Sequence, residues 1–358
     1  MYVWLKQSKK KLGGIFFLLL LIILSMQQIR EVSVLKSRYM AVGIRLTDSE
    51  VTKRQVDHAL KMEQERNADS LPDYAIWRQY DKAEVKNTAL KRSVKVAPML
   101  VSGNMGLVAT FSLKSGNLPY GEDSKGCIID TDTAFQLFGT ESVDGNTLVY
   151  HNKTYYIRGV VEAAVPVLLI QETGADVKYS NLELLYSDQE RGEEFARNFL
   201  VQNGLASDFI AIDGYFYSKL MNAVLALPLW LLFISGVFWL MKQFLDSTKS
   251  ISILRTILYG GFCSILLLGF LMLLYQFAGA PFYLPEKMIP TKWSDFDHWE
   301  QQYKLIKNQI IQIRYLVPNP KDVLLVDELL KLPYQFCLEV VLYAAALIQG
   351  AAWSEPEK

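Results

Sequence analysis

The stretch "GCIIDTDTAFQLFG", residues 126–139, sets a thiol and two carboxylates close together: Cys127, Asp130 and Asp132. Three chemistries fit such a group: a nucleophile with acidic helpers, a metal ligand, or a small hydrophobe in a folded core. A reactive cysteine needs its thiolate stabilised by a nearby cation or a histidine base. Here the neighbours are carboxylates, which hold a thiol protonated. Cys127, Ile128 and Ile129 form a short apolar run, so Cys127 reads as a buried structural residue. Asp130 and Asp132 read as cap and turn residues of the helix that follows, rather than as acid/base groups. The three histidines, His58, His151 and His298, lie far apart, and none belongs to a ligand-spaced pair. A zinc site is not expected. No HExxH, GxSxG or Ser/His/Asp spacing is present, and the phosphate-binding pattern GxxxxGK[ST] is absent. The expectation is a chain without catalytic residues, cofactor or metal.

The elements that position these residues begin with strands and helices between residues 30 and 220. "MAVGIRL" (40–46) predicts a strand, and "DSEVTKRQVDHALKMEQER" predicts a helix with Val51, Val56, Ala59, Leu60 and Met62 toward one face. "YAIWRQYDKAEVKN" and "SVKVAPMLVSGN" each read as a strand. Gly121, Glu122 and Asp123 make a turn before the strand of Cys127. The next helix carries Ala134, Leu137 and Phe138 on its apolar face and stops at Gly139. Asp144-Gly145 turns into a hairpin whose second strand, "TYYIRGVV", follows the turn His151-Asn152-Lys153. "PVLLIQET" and "NLELLYS" add strands, and "DQERGEEFARNFLVQNG" closes with an amphipathic helix. The result is a mixed α+β domain, of one lobe or two.

Four apolar blocks flank this domain: residues 12–29, 221–241, 251–276 and 333–353. Each approaches or exceeds the ~20 apolar residues that cross a bilayer. Lys6, Lys9, Lys10 and Lys11 precede the first block. Met26, Gln27 and Gln28 fit a cleavage site poorly, so the block reads as an uncleaved anchor. Lys242, Lys249 and Arg255 flank the connection between the second and third blocks, which places that connection and the N-terminus on the cytoplasmic side. The predicted layout is a basic cytoplasmic N-terminus (1–11), helix 1 (12–29), an extracytoplasmic domain (30–220), helix 2 (221–241) and a short cytoplasmic join (242–250). Helix 3 (251–276), an extracytoplasmic loop with its own helix (277–332), helix 4 (333–353) and a cytoplasmic tail (354–358) follow. The fold class is thus an α+β extracytoplasmic domain inserted between the first and second of four transmembrane helices. In the loop, Trp299, Tyr303, Ile306, Ile310 and Ile313 recur at helical spacing. Glu339 is the one acid inside a predicted span, where a charge is costly. Gly236, Gly260 and Gly261 read as sites of close helix approach. The chain carries 37 basic and 37 acidic residues, and this balance gives no reason to expect nucleic acid as a partner.

The motif order resembles that of MacB-type (FtsX-like) ABC transporter permeases and their periplasmic core domain. In that family a turn precedes a short strand, a helix ending in "LFG" and a "G..v......y.i.GV" hairpin. Here Leu118 stands with Gly121-Glu122-Asp123, followed by Cys127 to Asp130, Ala134 with Leu137-Phe138-Gly139, Gly145, and Tyr156-Ile157-Arg158-Gly159-Val160-Val161. The matched stretch covers roughly residues 100–165, and the order of apolar blocks extends it along the chain. The resemblance implies structural roles for Gly121, Cys127, Asp130, Leu137, Phe138, Gly139, Gly145 and Gly159, and no catalytic residue. It implies a non-catalytic membrane subunit of an export or mechanotransmission complex. Its partners would be a separate ABC ATPase and further copies or subunits in a homo- or hetero-oligomer, within a bacterial plasma membrane. Two features depart from the pattern. The join "KQFLDSTKSIS" lacks the charged helical segment that docks on an ATPase, and residues 277–332 are longer than the family's usual connection. The short join admits an alternative, a membrane-anchored sensor or accessory protein without ATPase coupling.

Overall fold

Helix α1 (Tyr2–Arg38) leads into a run of strands in the computed structural model, which describes residues 2–66, 71–163, 165–247, 253–278, 284–316 and 319–351. In chain order the run is β1 (Val42–Leu46), β2 (Val51–Thr52), α2 (Lys53–Arg66), β3 (Asp73–Gln79), β4 (Ala83–Asn87), β5 (Arg92–Gly103), β6 (Ser112–Gly116) and β7 (Gly126–Asp130). Next come α3 (Thr131–Phe138), β8 (Thr147–Tyr150), β9 (Lys153–Glu162), β10 (Val167–Gln171), β11 (Lys178–Tyr179), β12 (Asn181–Leu185), α4 (Gly192–Gln202) and β13 (Phe209–Asp213). Four helices complete the chain: α5 (Gly214–Ser247), α6 (Ile253–Ala278), α7 (Phe296–Tyr315) and α8 (Pro320–Ala351). The chain separates into two units. A helical unit comprises Met1–Ser37, Tyr217–Trp293 and Asp327–Lys358; an α/β unit comprises Arg38–Phe216 and Ser294–Val326.

Within the α/β unit, β5 is the organising strand. One edge pairs antiparallel with β4 and then β3, and the other pairs parallel with β10. The series β5–β4–β8–β9–β7–β10 closes on itself through that last pairing, while β3–β12–β1–β13 continues as an open sheet. The expected single strand "YAIWRQYDKAEVKN" is two strands laid end to end along β5. Pro98 explains the break: it has no N–H to donate, and the pairing skips from Gln79↔Met99 to Ala83↔Val96 across it. Strands β6 and β13 carry no clear apolar alternation and were not expected from the pattern.

Apolar side chains fill both regions. Val42, Ile44, Ile76, Leu182 and Leu184 line one face of the open sheet and meet Val56 and Ala59 of α2 and Ala196, Phe199 and Leu200 of α4. The closed series encloses Cys127, Ile129, Leu148, Ile157, Leu168 and Ile170, with Ala134 and Leu137 of α3 against them.

Among the described residues, three helices are long and apolar enough to cross a membrane: Gly13–Arg38, Gly214–Lys242 and Pro320–Gln349. Helix α6 has a shorter apolar stretch, Gly260–Gln276, among the described residues. Helix α8 starts at Pro320, well ahead of Pro333, so the end of the expected loop is helical. Pro333 lies inside the helix. In the helical unit Phe233 of α5 meets Phe270 of α6 at 6.4 Å between ring centroids. A Cβ on Gly236 would lie 3.2 Å from Leu267, so this glycine serves close approach, whereas Gly260 and Gly261 face open space. Of the expected join 242–250, residues 242–247 continue α5, and 248–250 lie outside the described residues, as does the tail 354–358.

Candidate functional site: a buried charge cluster

The residues singled out in the sequence occupy structural positions. Cys127 in β7 is fully buried between Ile170 of β10 and Ile157 of β9. Burial pushes its thiol well above the ordinary range; Arg158 opposes the shift and Asp123 adds to it. Asp130 caps α3. Its carboxylate accepts from the N–H (2.9 Å) and hydroxyl (2.5 Å) of Thr133, and also from the N–H of Val167 at the start of β10 (2.8 Å). One buried side chain thus ties three elements together. Gly139 ends α3 at φ 77°, a left-handed conformation that favours glycine. Leu137 is buried in the closed series, with Phe138 packed partly against it.

The Gly121 carbonyl accepts from Gln171 Nε2 at 3.1 Å, and Asp123 in the same turn pairs with Arg158 at 2.7 Å. That hydrogen bond from Arg158 holds the Asp123 carboxyl below its usual range. Gly145 sits in the turn before β8, its N–H donating to Ile157, and Gly159 lies where β6 crosses β9. The fold therefore brings Cys127, Asp130 and Leu137 together as core, and Arg158, the cation that opposes the shift of the thiol, is itself paired with Asp123. His58 is exposed on α2. Among the described residues no group of three His, Cys, Asp or Glu side chains is placed to hold a metal.

A second constellation was not expected from the sequence. Alternation along β1 sends Val42, Ile44 and Leu46 to the apolar face and Gly43 and Arg45 to the other. Along β12, Leu182 and Leu184 take the apolar face and Glu183 the other. The register Gly43↔Glu183, Arg45↔Asn181 and Asn181↔Trp77 gathers Arg45, Glu183 and Trp77 on one side of the sheet. Arg45 Nη1 lies 2.9 Å from Glu183 Oε1, and Trp77 Nε1 donates to the same oxygen at 3.1 Å. The guanidinium stacks over Trp77, 4.9 Å from the ring centroid. Gly43 makes room for it, since a Cβ there would sit 3.0 Å from Arg45 Nη2.

The other half of the cluster comes from the far end of the chain. Asn319 caps α8, its Oδ1 accepting from the N–H of Asp322 at 2.8 Å, and Pro320 fills the first helical position. That cap presents Lys321 and Asp322 to the sheet. Arg45 grips Asp322 bidentately, Nε to Oδ2 and Nη2 to Oδ1, both at 2.8 Å. Lys321 Nζ lies 2.6 Å from Glu183 Oε2 and donates to the Leu107 carbonyl at 2.7 Å. Tyr39, at the end of α1, donates its hydroxyl to the Lys321 carbonyl at 2.6 Å.

The order is Lys321–Glu183–Arg45–Asp322, two cations alternating with two anions, and none of the four is more than 5% exposed. Burial by itself would lower the Arg45 pKa. Asp322 and Glu183 outweigh it, and the guanidinium is held above its ordinary value. Burial, then the charge of Asp322, pushes the Tyr39 hydroxyl up as well. A cavity of about 180 Å³ reaches the cluster past Gln79, Asn181 and Leu316. With every charge matched, the cluster offers no free base, acid or anion hole. It fastens the first turn of α8 to β1, β12 and the end of α1.

No family model matches the sequence, and no curated protein matches it. Among solved structures, the chain is similar to the periplasmic region of MacB from Actinobacillus actinomycetemcomitans, at 12% identity over 49% of this chain and 88% of that one, with a TM-score of 0.39. It is also similar to the extracellular domain of the noncanonic ABC-type transporter YknZ from Gram-positive bacteria. There the identity is 13% over 48% of this chain and 98% of that one, with a TM-score of 0.36.

Proposed function

We propose that this chain is a non-catalytic membrane subunit of an ABC-type export or mechanotransmission complex, in which a separate ATPase drives movement of an extracytoplasmic α/β domain. The observation that carries the reading is the buried charge cluster. Helix α8, long and apolar enough to cross a membrane, starts inside the α/β unit and is fastened there by four matched charges. Helices α1 and α5 also run directly into β1 and out of β13. A shift of α8 along its axis then either carries β1 and β12 with it or strips buried charges of their partners. The motif order from Leu118 to Val161 supports the same reading, as does the place of the α/β elements between α1 and α5. On this reading residues 30–220 lie outside the plasma membrane and both termini inside.

The short join between α5 and α6 favours a second reading, a membrane-anchored sensor or accessory protein whose α/β domain binds an external ligand. Purification of the tagged chain in mild detergent, with mass spectrometry of what accompanies it, separates the two. A stoichiometric ABC ATPase is the expected result. An intact, folded chain that repeatedly comes without one refutes the permease reading and leaves the sensor.

A further inference from the structure

The charges of the cluster are matched, but the helical unit holds an acid that is not. Glu339 of α8 is fully buried, and both its carboxyl oxygens lack a hydrogen-bond partner among the described residues. Helix α1 runs alongside in the opposite direction. Near one end the Gln349 side chain occupies the place a Cβ on Gly13 would take, and further along Ser25 stands beside Glu339. Ser25 is itself fully buried with its hydroxyl unpartnered. Gln28, three residues on and so on the same helix face, is buried with Oε1 unpartnered. Ser25 and Glu339 thus face each other where two apolar helices pack, with Gln28 on the same face of α1 and its Oε1 unpartnered among the described residues.

The charged groups nearby do not resolve this. On α1, Arg30 and Glu31 are exposed. On α8, Lys331 pairs with Glu328 at 2.6 Å. Helix α5, which reaches α8 where Tyr343 donates to the Leu231 carbonyl at 3.4 Å, carries Lys219, engaged with other groups, and Trp230, whose indole N–H is unpartnered. Among the described residues no cation pairs with Glu339. An ionised carboxylate with one hydroxyl beside it and no counter-charge is disfavoured in such surroundings, and a group so placed takes up a proton instead.

We propose that Glu339 is a proton-binding site of the helical unit, protonated at neutral pH, its O–H donating to Ser25 Oγ while the Ser25 hydroxyl donates to Gln28 Oε1. This arrangement gives partners to Ser25 Oγ, Gln28 Oε1 and the protonated oxygen of Glu339 with one added proton. Ionisation breaks the Glu339 O–H bond, leaves the electron pair on the carboxylate and passes the proton to water, which must first enter between α1 and α8. Proton occupancy and the packing of these helices are therefore linked.

The test is infrared difference spectroscopy of the full chain in detergent at neutral pH, wild type against Glu339→Gln. The expected result is loss of one carboxylic-acid C=O band, with Ser25→Ala shifting the same band to higher frequency. Loss of carboxylate bands instead, with no acid band affected, overturns the proposal. Should Glu339→Gln fail to fold, dicyclohexylcarbodiimide, which modifies protonated carboxyls in apolar sites, is applied to the wild-type chain. Mass spectrometry then locates the adduct on Glu339 at neutral pH if the proposal holds; unmodified Glu339 overturns it. Neither measurement needs an ATPase, so failure here leaves the proposed function standing.

Discussion

Replacing Asp322 by leucine removes one anion from a site that holds two of each sign. Arg45 then loses both of its 2.8 Å bonds to the carboxylate, keeps Glu183, and shares that acid with Lys321. The buried net charge goes from zero to plus one. Breaking a buried pair by removing one partner costs about 3–5 kcal/mol. The lower end applies here, because the cavity of about 180 Å³ gives water a route to Arg45. Arg45→Met leaves a net charge of minus one and has a similar cost. The double variant restores neutrality, with Lys321 and Glu183 still paired, so its cost falls short of the sum by about 2 kcal/mol or more. Hydrogen exchange of the full chain in detergent reads this at β1 and β12. Each single variant speeds exchange there about a hundredfold, since 1.4 kcal/mol is a factor of ten. The double variant is much less than multiplicative. Single variants within about twofold of wild type, or a double equal to the product of the singles, would show that the cluster does not hold α8 to the sheet.

Cys127 resists thiol reagents in the native chain and reacts only after denaturation, read by mass spectrometry of the peptide that spans β7. Above pH ~8.5, the ordinary thiol value, the unfolded chain releases a proton that folded Cys127 keeps. Native stability therefore falls with rising pH, and Cys127→Ala flattens that part of the slope. Asp130→Ala removes the α3 cap, worth ~1 kcal/mol. It also leaves the buried Val167 N–H unsatisfied, at ~1–3 kcal/mol more. Exchange should rise in both α3 and β10, and a change confined to α3 would refute the link to Val167.

Local chemistry made much of the fold legible. The cap at Asp130, the stop at Gly139, the turns before β8 and β9, and the helix of Phe296–Tyr315 all rest on residues adjacent in sequence. The strand break opposite Pro98 was hidden, because its cause lies on a partner strand. The charge cluster was hidden for a stronger reason. Arg45 and Asp322 are 277 positions apart, and no periodicity links them. Traces were present nonetheless. Arg45 is a lone charge in the apolar run "VGIRL", and Glu183 is a lone charge of opposite sign in "NLELL". Asn319-Pro320 is a helix-start signal ahead of two charged residues. Each alone marks an ordinary surface position. Only the antiparallel register of β1 on β12 turns them into one site.

The cluster also explains why a joint of this kind is ionic. Apolar side chains of similar volume would hold α8 to the sheet as well or better, since burying paired charges brings little net stability. They would also tolerate slippage, because dispersion and burial are not directional. The charged version has one register. Moving α8 by one turn, 5.4 Å, separates Asp322 from Arg45 and Lys321 from Glu183 together, leaving Asp322 and Lys321 without counter-charges while Arg45 and Glu183 keep only each other. On the proposed function that intolerance is useful: displacement of the helix reaches β1 and β12 undiminished, and through β13 the start of α5. Lys321→Met separates this view from simple anchoring. It removes one ion pair and one bond to Leu107 but leaves Arg45 on Asp322. If the cluster sets register, a disulfide-trapping series between β12 and the first turn of α8 broadens from one linked pair to several neighbouring pairs. A single linked pair, unchanged from wild type, would mean that Arg45 and Asp322 fix the register without help from Lys321.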